Sequence, residues 1–149
     1  MIEVLLVDDH PIVRSGYARL LEAGRDIHVV AEAEDADSGY LAYTAHAPKV
    51  TVTDLSLPGS SGIDLIRRIR ARDAGARVLV FSVHDEAVVV EKALQSGASG
   101  FISKRSAPEV LLEAVRHVAR GERYLSTDVR KAFELRSPDA ERSIINDLS

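Results

Sequence analysis

Three aspartates, a serine and a lysine stand where short apolar runs end. Asp8 and Asp9 follow Val4-Leu5-Leu6-Val7, Asp54 follows Val50-Thr51-Val52, Ser82 follows Val78-Leu79-Val80-Phe81, and Lys104 comes shortly after Gly100-Phe101-Ile102. An acid at the end of one such run is ordinarily a turn former or a helix cap, and a lone lysine there ordinarily sits in solvent. The weight lies in the joint pattern, one residue set to each run. If they meet, three carboxylates oppose one another's ionisation unless positive charge joins them. A hard divalent cation is the obvious remedy. Mg²⁺ takes oxygen ligands, keeps several waters and often links one or two carboxylates to a phosphate. A lysine adds a compact charged donor, and a serine hydroxyl can donate to a phosphoryl oxygen. The set suits phosphoryl transfer, where positioning and charge neutralisation do most of the work. A carboxylate can also be the nucleophile and become an acyl phosphate.

For these residues to meet, the runs must be strands of one parallel sheet. They are short and largely β-branched, as strands buried on both faces tend to be; Ile27-His28-Val29-Val30 makes a fifth. Helix-period segments alternate with them. The first carries Val13, Tyr17, Leu20 and Leu21 on one face and stops at Gly24; the second runs from about Asp37 to Ala47 and stops before Pro48. The third carries Leu65, Ile66 and Ile69, the fourth Val89, Val90, Ala93 and Leu94 up to Gly97, and the fifth Leu111, Leu112, Val115, Val118 and Ala119 up to Gly121. Pro11 and Pro108 suit first-turn positions, Ser106 with Glu109 reads as a capping box, and Gly24, Gly97 and Gly121 suit C-terminal caps. Five strands alternating with five helices predict an α/β fold with a doubly wound parallel sheet. Such sheets place their sites at the carboxyl ends of the strands, where the acids, Ser82 and Lys104 stand. His10 and His84 lie on the same edge and are read as rim residues, since two isolated histidines make a weak zinc site. The loop Leu57-Pro58-Gly59-Ser60-Ser61-Gly62 reads as a tight turn that scaffolds Asp54, with Gly59 and Gly62 permitting unusual backbone angles.

Composition narrows the class. The 149 residues are 46% hydrophobic and 28% charged, as in a globular core of one domain. The absence of cysteine rules out disulfides, thiolate metal sites and thiol catalysis. No apolar run is long enough to span a bilayer, and the acidic start MIEVLLVDDH is unlike a secretory signal. A net charge of −4 without a Lys/Arg cluster argues against a surface built for gripping nucleic acid. After Gly121 the pattern changes: Glu122 to Ser149 is polar and predicted to lack strands, with a short helix over 126–136 bearing Val129, Phe133 and Ala132 on one side. The stretch after it reads as a linker.

The segments VLLVDDHPIVRSG, VTDLSLPGSSGIDLIRRIR, VLVFSVHDE and GASGFISKRSAPEVLLEAVRHVARGERYLS resemble the receiver domain of two-component response regulators, and more narrowly the NarL/FixJ (LuxR-type) group. The resemblance covers residues 1 to about 125, with the landmarks in order. It implies a flavodoxin-like five-stranded sheet with five helices, residues 1–121 as the receiver and 122–149 as an interdomain linker, ending where a helix-turn-helix DNA-binding half would begin. It implies Asp54 as the phosphorylated aspartate. Asp9, Asp54 and the backbone carbonyl of Ser56 would hold Mg²⁺, with Asp8 acting mainly through a metal-bound water. Lys104 would pair with the phosphoryl group, Ser82 would be the switch hydroxyl, and Phe101 the switch aromatic that repacks with it. Many receivers have Tyr where Phe101 stands and Pro where Arg105 stands.

The implied role is that of a cytoplasmic phosphoacceptor rather than an enzyme. Its partner would be a sensor histidine kinase, its output dimerisation, and its contact with DNA only through the missing half. Val88 and the linker helix are candidate dimer surfaces. Two other readings are a metal-dependent phosphohydrolase using the same carboxylates and a receiver-like binding module independent of phosphate.

Overall fold

A computed structural model describes residues 1–135. Strands and helices alternate in the order β1 (Ile2–Val7), α1 (Pro11–Glu22), β2 (Ile27–Ala33), α2 (Ala36–His46), β3 (Val50–Thr53), α3 (Gly62–Arg72), β4 (Val78–Ser82), α4 (Ala87–Gln95), β5 (Gly100–Ser103) and α5 (Pro108–Ala119). Two short elements follow, β6 (Tyr124–Leu125) and α6 (Thr127–Glu134). Every strand pairing is parallel, in the order β2-β1-β3-β4-β5-β6. Parallel neighbours need crossovers, which the helices supply. From β1 the chain first crosses to β2 on one side and then returns to β3 on the other. That reversal opens a crevice at the carboxyl ends of β1 and β3. Val7 pairs with Thr53, so Asp8 and Asp54, the next residues on each strand, leave the sheet side by side.

The two-residue period of the strands sorts the core into two layers. Val4, Leu6, Val50, Val52, Leu79, Phe81 and Ile102 face α1 and α5, meeting Leu21, Leu111, Val115 and Val118. Leu5, Val7, Val78, Val80 and Phe101 face the other way, toward Tyr43, Leu65, Ile66, Ile69, Val90 and Ala93 of α2, α3 and α4. Both faces are covered, which is why the strands read as continuous apolar runs. Val13 departs from the predicted α1 stripe and is 41% exposed. Its turn begins directly after His10, at the sheet's carboxyl edge, where no strand lies beneath it.

The sheet has a sixth strand that the predicted absence of strand after Gly121 excluded. Tyr124 pairs with Gly100 and Leu125 with Phe101. Two residues carry no period for a sequence pattern to reveal. The predicted short helix is present as Thr127–Glu134, with Val129 fully buried in the Phe101 layer and Ala132 only half-buried. The chain from 122 thus begins by adding to the core. The rest of the predicted linker, from 136 on, lies outside the described residues.

Local signals and local structure agree at some element ends and part at others. Pro11 and Pro108 open α1 and α5. Gly97 and Gly121 have φ of +113° and +84° after α4 and α5, as left-handed caps require. After α1 that conformation falls to Arg25 (φ +58°). Gly24 is small for another reason: a Cβ there would lie 3.1 Å from Leu112 Cδ2 on α5. The Ser106–Glu109 capping box does not form. The residue before α5 is Ala107, without a side-chain cap, and Ser106 instead makes a turn through its N–H to the Ser103 carbonyl. A capping box does form at α2, between Asp35 and Ser38, where the third helical position holds Ser rather than the Glu or Gln of the usual pattern.

Gly59 adopts the left-handed region (φ +81°), as predicted, but Gly62 does not. Gly62 is required for space: a Cβ would sit 2.2 Å from the Asp54 carbonyl oxygen and 2.8 Å from Leu55 Cα. Gly62→Ala should therefore push the Asp54 backbone aside and destabilise the protein by about 2 kcal/mol or more. Gly16→Ala, in exposed mid-helix with no atom near the added carbon, should stabilise it by about 0.5–1 kcal/mol. Urea unfolding of the two variants checks both signs.

Candidate functional site

The centre of the site is the Lys104 ammonium. Nζ donates to Asp8 Oδ2 and to Asp54 Oδ2, each at 2.8 Å, and its side chain is 11% exposed. β1, β3 and β5 thus deliver two acids and a cation to one point. Lys104 is held by the sheet itself, since its N–H donates to the Ser82 carbonyl at 2.9 Å. Below Nζ lie the Tyr17 and Phe81 rings, packed edge to face with centroids 4.6 Å apart, each centroid 5.6 Å from the ammonium. Ring faces at that distance add favourable electrostatics and exclude water from one side.

Asp54 is fixed at both oxygens. Oδ1 accepts the N–H groups of Leu55 (2.7 Å) and Ser56 (3.3 Å), and Oδ2 takes Lys104. Asp8 Oδ1 accepts the His10 N–H at 2.9 Å, and the Arg14 guanidinium donates to the Asp8 carbonyl at 2.6 Å. Burial by itself works against the charge on Asp8. The hydrogen bonds from Lys104 and the His10 N–H, with the ammonium's charge, outweigh it and hold the carboxyl below the ordinary aspartate value. Burial likewise opposes the Lys104 charge, and its bonds to Asp54 and Asp8 hold it above the ordinary lysine value. Asp8 and Lys104 are therefore both charged at neutral pH.

Asp9 differs from its neighbours. Its Oδ1 is buried and accepts no hydrogen bond, although His10 Nδ1 lies 3.0 Å away. Asp8, Asp9 and His10 bring ligand atoms within 4.8 Å of one another. Asp54 is not in that group and joins it through Lys104. An acceptor-only oxygen buried without a donor is disfavoured, and a hard cation beside Asp8 would satisfy it. The donor set, all carboxylate but for a rim imidazole, fits Mg²⁺. Ser56, whose carbonyl is the remaining predicted ligand, lies exposed in the loop after Asp54.

Ser82 and Phe101 are fully buried. The Ser82 hydroxyl accepts the His84 N–H at 3.1 Å. Phe101 lies in the layer under α4 and α6. His10 and His84 are exposed, on the rim where the sequence placed them.

Sequence reasoning missed several neighbours. Tyr17 belongs to the apolar stripe of α1, and nothing in its spacing marks it as the ring under Lys104. Arg14 shares α1 and also pairs with Glu32. Ser103 and Asp85, joined at 2.6 Å, flank Lys104 and Ser82 in sequence; that adjacency was the available signal.

The sequence pattern of the response regulator receiver domain matches residues 4–116. The response regulator UvrY of Escherichia coli O6:H1 is 36% identical over 143 residues, which cover 96% of this chain and 66% of the relative. The transcriptional regulatory protein UhpA of Salmonella typhimurium is 42% identical over 129 residues, covering 87% and 64%. The chain thus spans just under two thirds of the length of these curated relatives. The solved structure of a two-component response regulator of the LuxR family from an Aurantimonas species matches at a TM-score of 0.88 with 40% identity, covering 97% of this chain and 99% of that one. Sequence pattern, relatives and fold agree: this chain belongs to the response regulator receiver domain family and is homologous to the LuxR-type regulators.

Proposed function

We propose that Asp54 accepts a phosphoryl group from the phosphohistidine of a sensor histidine kinase. The supporting observation is the Lys104 ammonium set 2.8 Å from both the Asp8 and Asp54 carboxylates in a buried corner of the sheet. In the transfer, an Asp54 oxygen attacks phosphorus, the P–N bond breaks, and the leaving imidazole keeps the electron pair. The Leu55 and Ser56 N–H groups and Lys104 orient the carboxylate beforehand. Lys104 is placed to move from its carboxylates onto a phosphoryl oxygen. Asp8, Asp9, Asp54 and the Ser56 carbonyl would hold Mg²⁺. When bound, Mg²⁺ supplies the positive charge that lets three acids and a phosphoryl group share one pocket.

The switch follows from charge. A phosphoryl group brings up to two negative charges and strong acceptors. Ser82 turns its hydroxyl toward them, and Phe101 repacks behind it. The chain acts on itself alone, taking part in its own phosphorylation and dephosphorylation rather than turning over an outside substrate. The matched relative UhpA is a transcriptional regulatory protein. By that analogy residues 1–121 form the receiver and 122–149 lead to a DNA-binding domain, with homodimerisation as the intermediate step. Among the described residues no helix is long and apolar enough to cross a membrane, which accords with a cytoplasmic partner for a sensor kinase.

Incubation with Mg²⁺ and acetyl phosphate should add one phosphoryl mass to the parent and none to Asp54→Asn, read by intact mass and peptide mapping. Labelling of the variant would remove Asp54 from the role, and continued turnover of the donor well past one equivalent would favour a hydrolase. Asp9→Asn should weaken Mg²⁺ binding about tenfold or more in calorimetry; unchanged affinity would remove Asp9 as a ligand.

A pH signature also follows. A carboxyl held below its unfolded value of about 3.9 stabilises the fold above that value, and the gain is lost as pH falls through the folded value. Lys104→Met removes the main lowering influences on Asp8, so its burial then raises it. In metal-free buffer the variant should lose about 3 kcal/mol at pH 7.5. The deficit should shrink at pH 5, where the freed acid can protonate, as read by urea unfolding at both pH values.

A further inference from the structure

Polar order in this region extends past Lys104. Ser103, the last residue of β5, is fully buried, and its hydroxyl is used twice: it donates to Asp85 Oδ2 at 2.6 Å and accepts the Arg105 N–H at 3.1 Å. Its own N–H donates to Ser126 Oγ at 3.1 Å, and Ser126 is buried too. Ser126 stands between β6 and α6, with its N–H on the Phe101 carbonyl at 3.1 Å. The two-residue β6 is thus prolonged by one rung made from a side chain. Asp85 lies on the loop between Ser82 and α4, where the neighbouring His84 N–H meets the Ser82 hydroxyl. One short loop therefore carries the partner of the switch hydroxyl and the partner of Ser103.

We propose that Ser103 is a positioning residue that latches the β6–α6 segment to the sheet in the unphosphorylated protein, and that movement of the Asp85 loop on phosphorylation of Asp54 loosens it. The inference rests on Asp54 as the acceptor. If Ser82 follows the new charge, His84 and Asp85 follow Ser82. The Ser103 hydroxyl, with no access to water, then loses its acceptor, and a buried donor left without one is disfavoured. It must turn to another acceptor, which gives up the Arg105 N–H it holds and loosens the backbone at the end of β5, where the Ser103 N–H meets Ser126. Beyond that bond the segment is held by two paired strand residues, by the Tyr124 and Ser126 N–H groups on the Ser99 and Phe101 carbonyls, by the apolar contacts of Tyr124, Leu125 and Val129, and by the Arg130 guanidinium on the Leu125 carbonyl. Elements held by so few ties open before the rest of a domain does.

Hydrogen–deuterium exchange on the full chain with Mg²⁺, with and without beryllofluoride as phosphoryl stand-in, tests this. In the parent, beryllofluoride should speed exchange of amides 124–134 about tenfold, the factor one ordinary tie makes in an opening equilibrium. Ser103→Ala should exchange at the fast rate without beryllofluoride and gain nothing from it. Ser103→Thr, which keeps the hydroxyl, should restore the parent's behaviour. Asp85→Ala, on a partly exposed loop, should mimic Ser103→Ala without threatening the core. A bound-fluoride resonance in the same sample reports on the acceptor site separately. If it appears and amides 124–134 keep their rate or slow down, the latch is overturned and the acceptor reading survives. If it is absent, the acceptor reading is in trouble, and the ligand-free comparison still decides the latch: Ser103→Ala exchanging at the parent's rate would end it.

Discussion

The architecture depends on a charge balance that the sheet must hold in place. Asp8 and Asp54 leave adjacent parallel strands side by side, and two acids there would repel. One ammonium, from two strands away, sits 2.8 Å from both. A buried ion cluster of this kind adds little net stability, because desolvation offsets most of the attraction. Removing a single member is what costs, since the remaining charges stay buried. The pocket is thus sensitive by construction to whatever changes its charge, which is the property a phosphorylation switch needs.

Much of the fold serves that balance. The reversal of chain direction between β1 and β3 makes the crevice. The β1–β3 register sets Asp8 beside Asp54, and β4 fixes the Lys104 backbone through the Ser82 carbonyl. The turn after Asp54 is packed so closely that residue 62 has no room for a side chain. The aromatic pair of Tyr17 and Phe81 closes the underside. Each constraint comes from a different element, so the site exists only when the whole sheet is formed.

This division of labour explains what could be read from the sequence. Strands buried on both faces announce themselves as apolar runs, and the residues ending those runs were therefore visible as a group. Asp8, Asp54 and Lys104 meet in space as that pattern implied, and Ser82 ends its strand fully buried. Asp9 lies with Asp8 and His10, joined to Asp54 only through the shared neighbours. Features that depend on tertiary contact were invisible. β6 exists because β5 offers an unpaired edge to Tyr124 and Leu125; two residues cannot show a period. Gly62 looked like a turn glycine, and its real constraint, the Asp54 backbone, is distant from any local rule. The Ser106 cap failed because α5 starts one residue later than the motif requires.

Phe101 stands on β5, the strand that leads into Lys104, and pairs with the far edge of the sheet. Its ring is fully buried, its strand neighbour on the outer side is Leu125, and Val129 of α6 shares its layer. A close-packed interior does not deform continuously, so moving such a ring means exchanging one packing for another. Charge-assisted hydrogen bonds are worth roughly 1.5–3 kcal/mol each, and a phosphoryl group offers several acceptors. Repacking a large side chain without lasting loss of contact costs an amount of the same order. A switch needs these quantities to be close, because a much larger packing term would lock the ring and a much smaller one would let it wander without a signal. The short β6 and single-sided α6 keep that packing term modest. A longer sixth strand would bind Leu125 more firmly to Phe101 and raise that packing term at the far edge of the sheet.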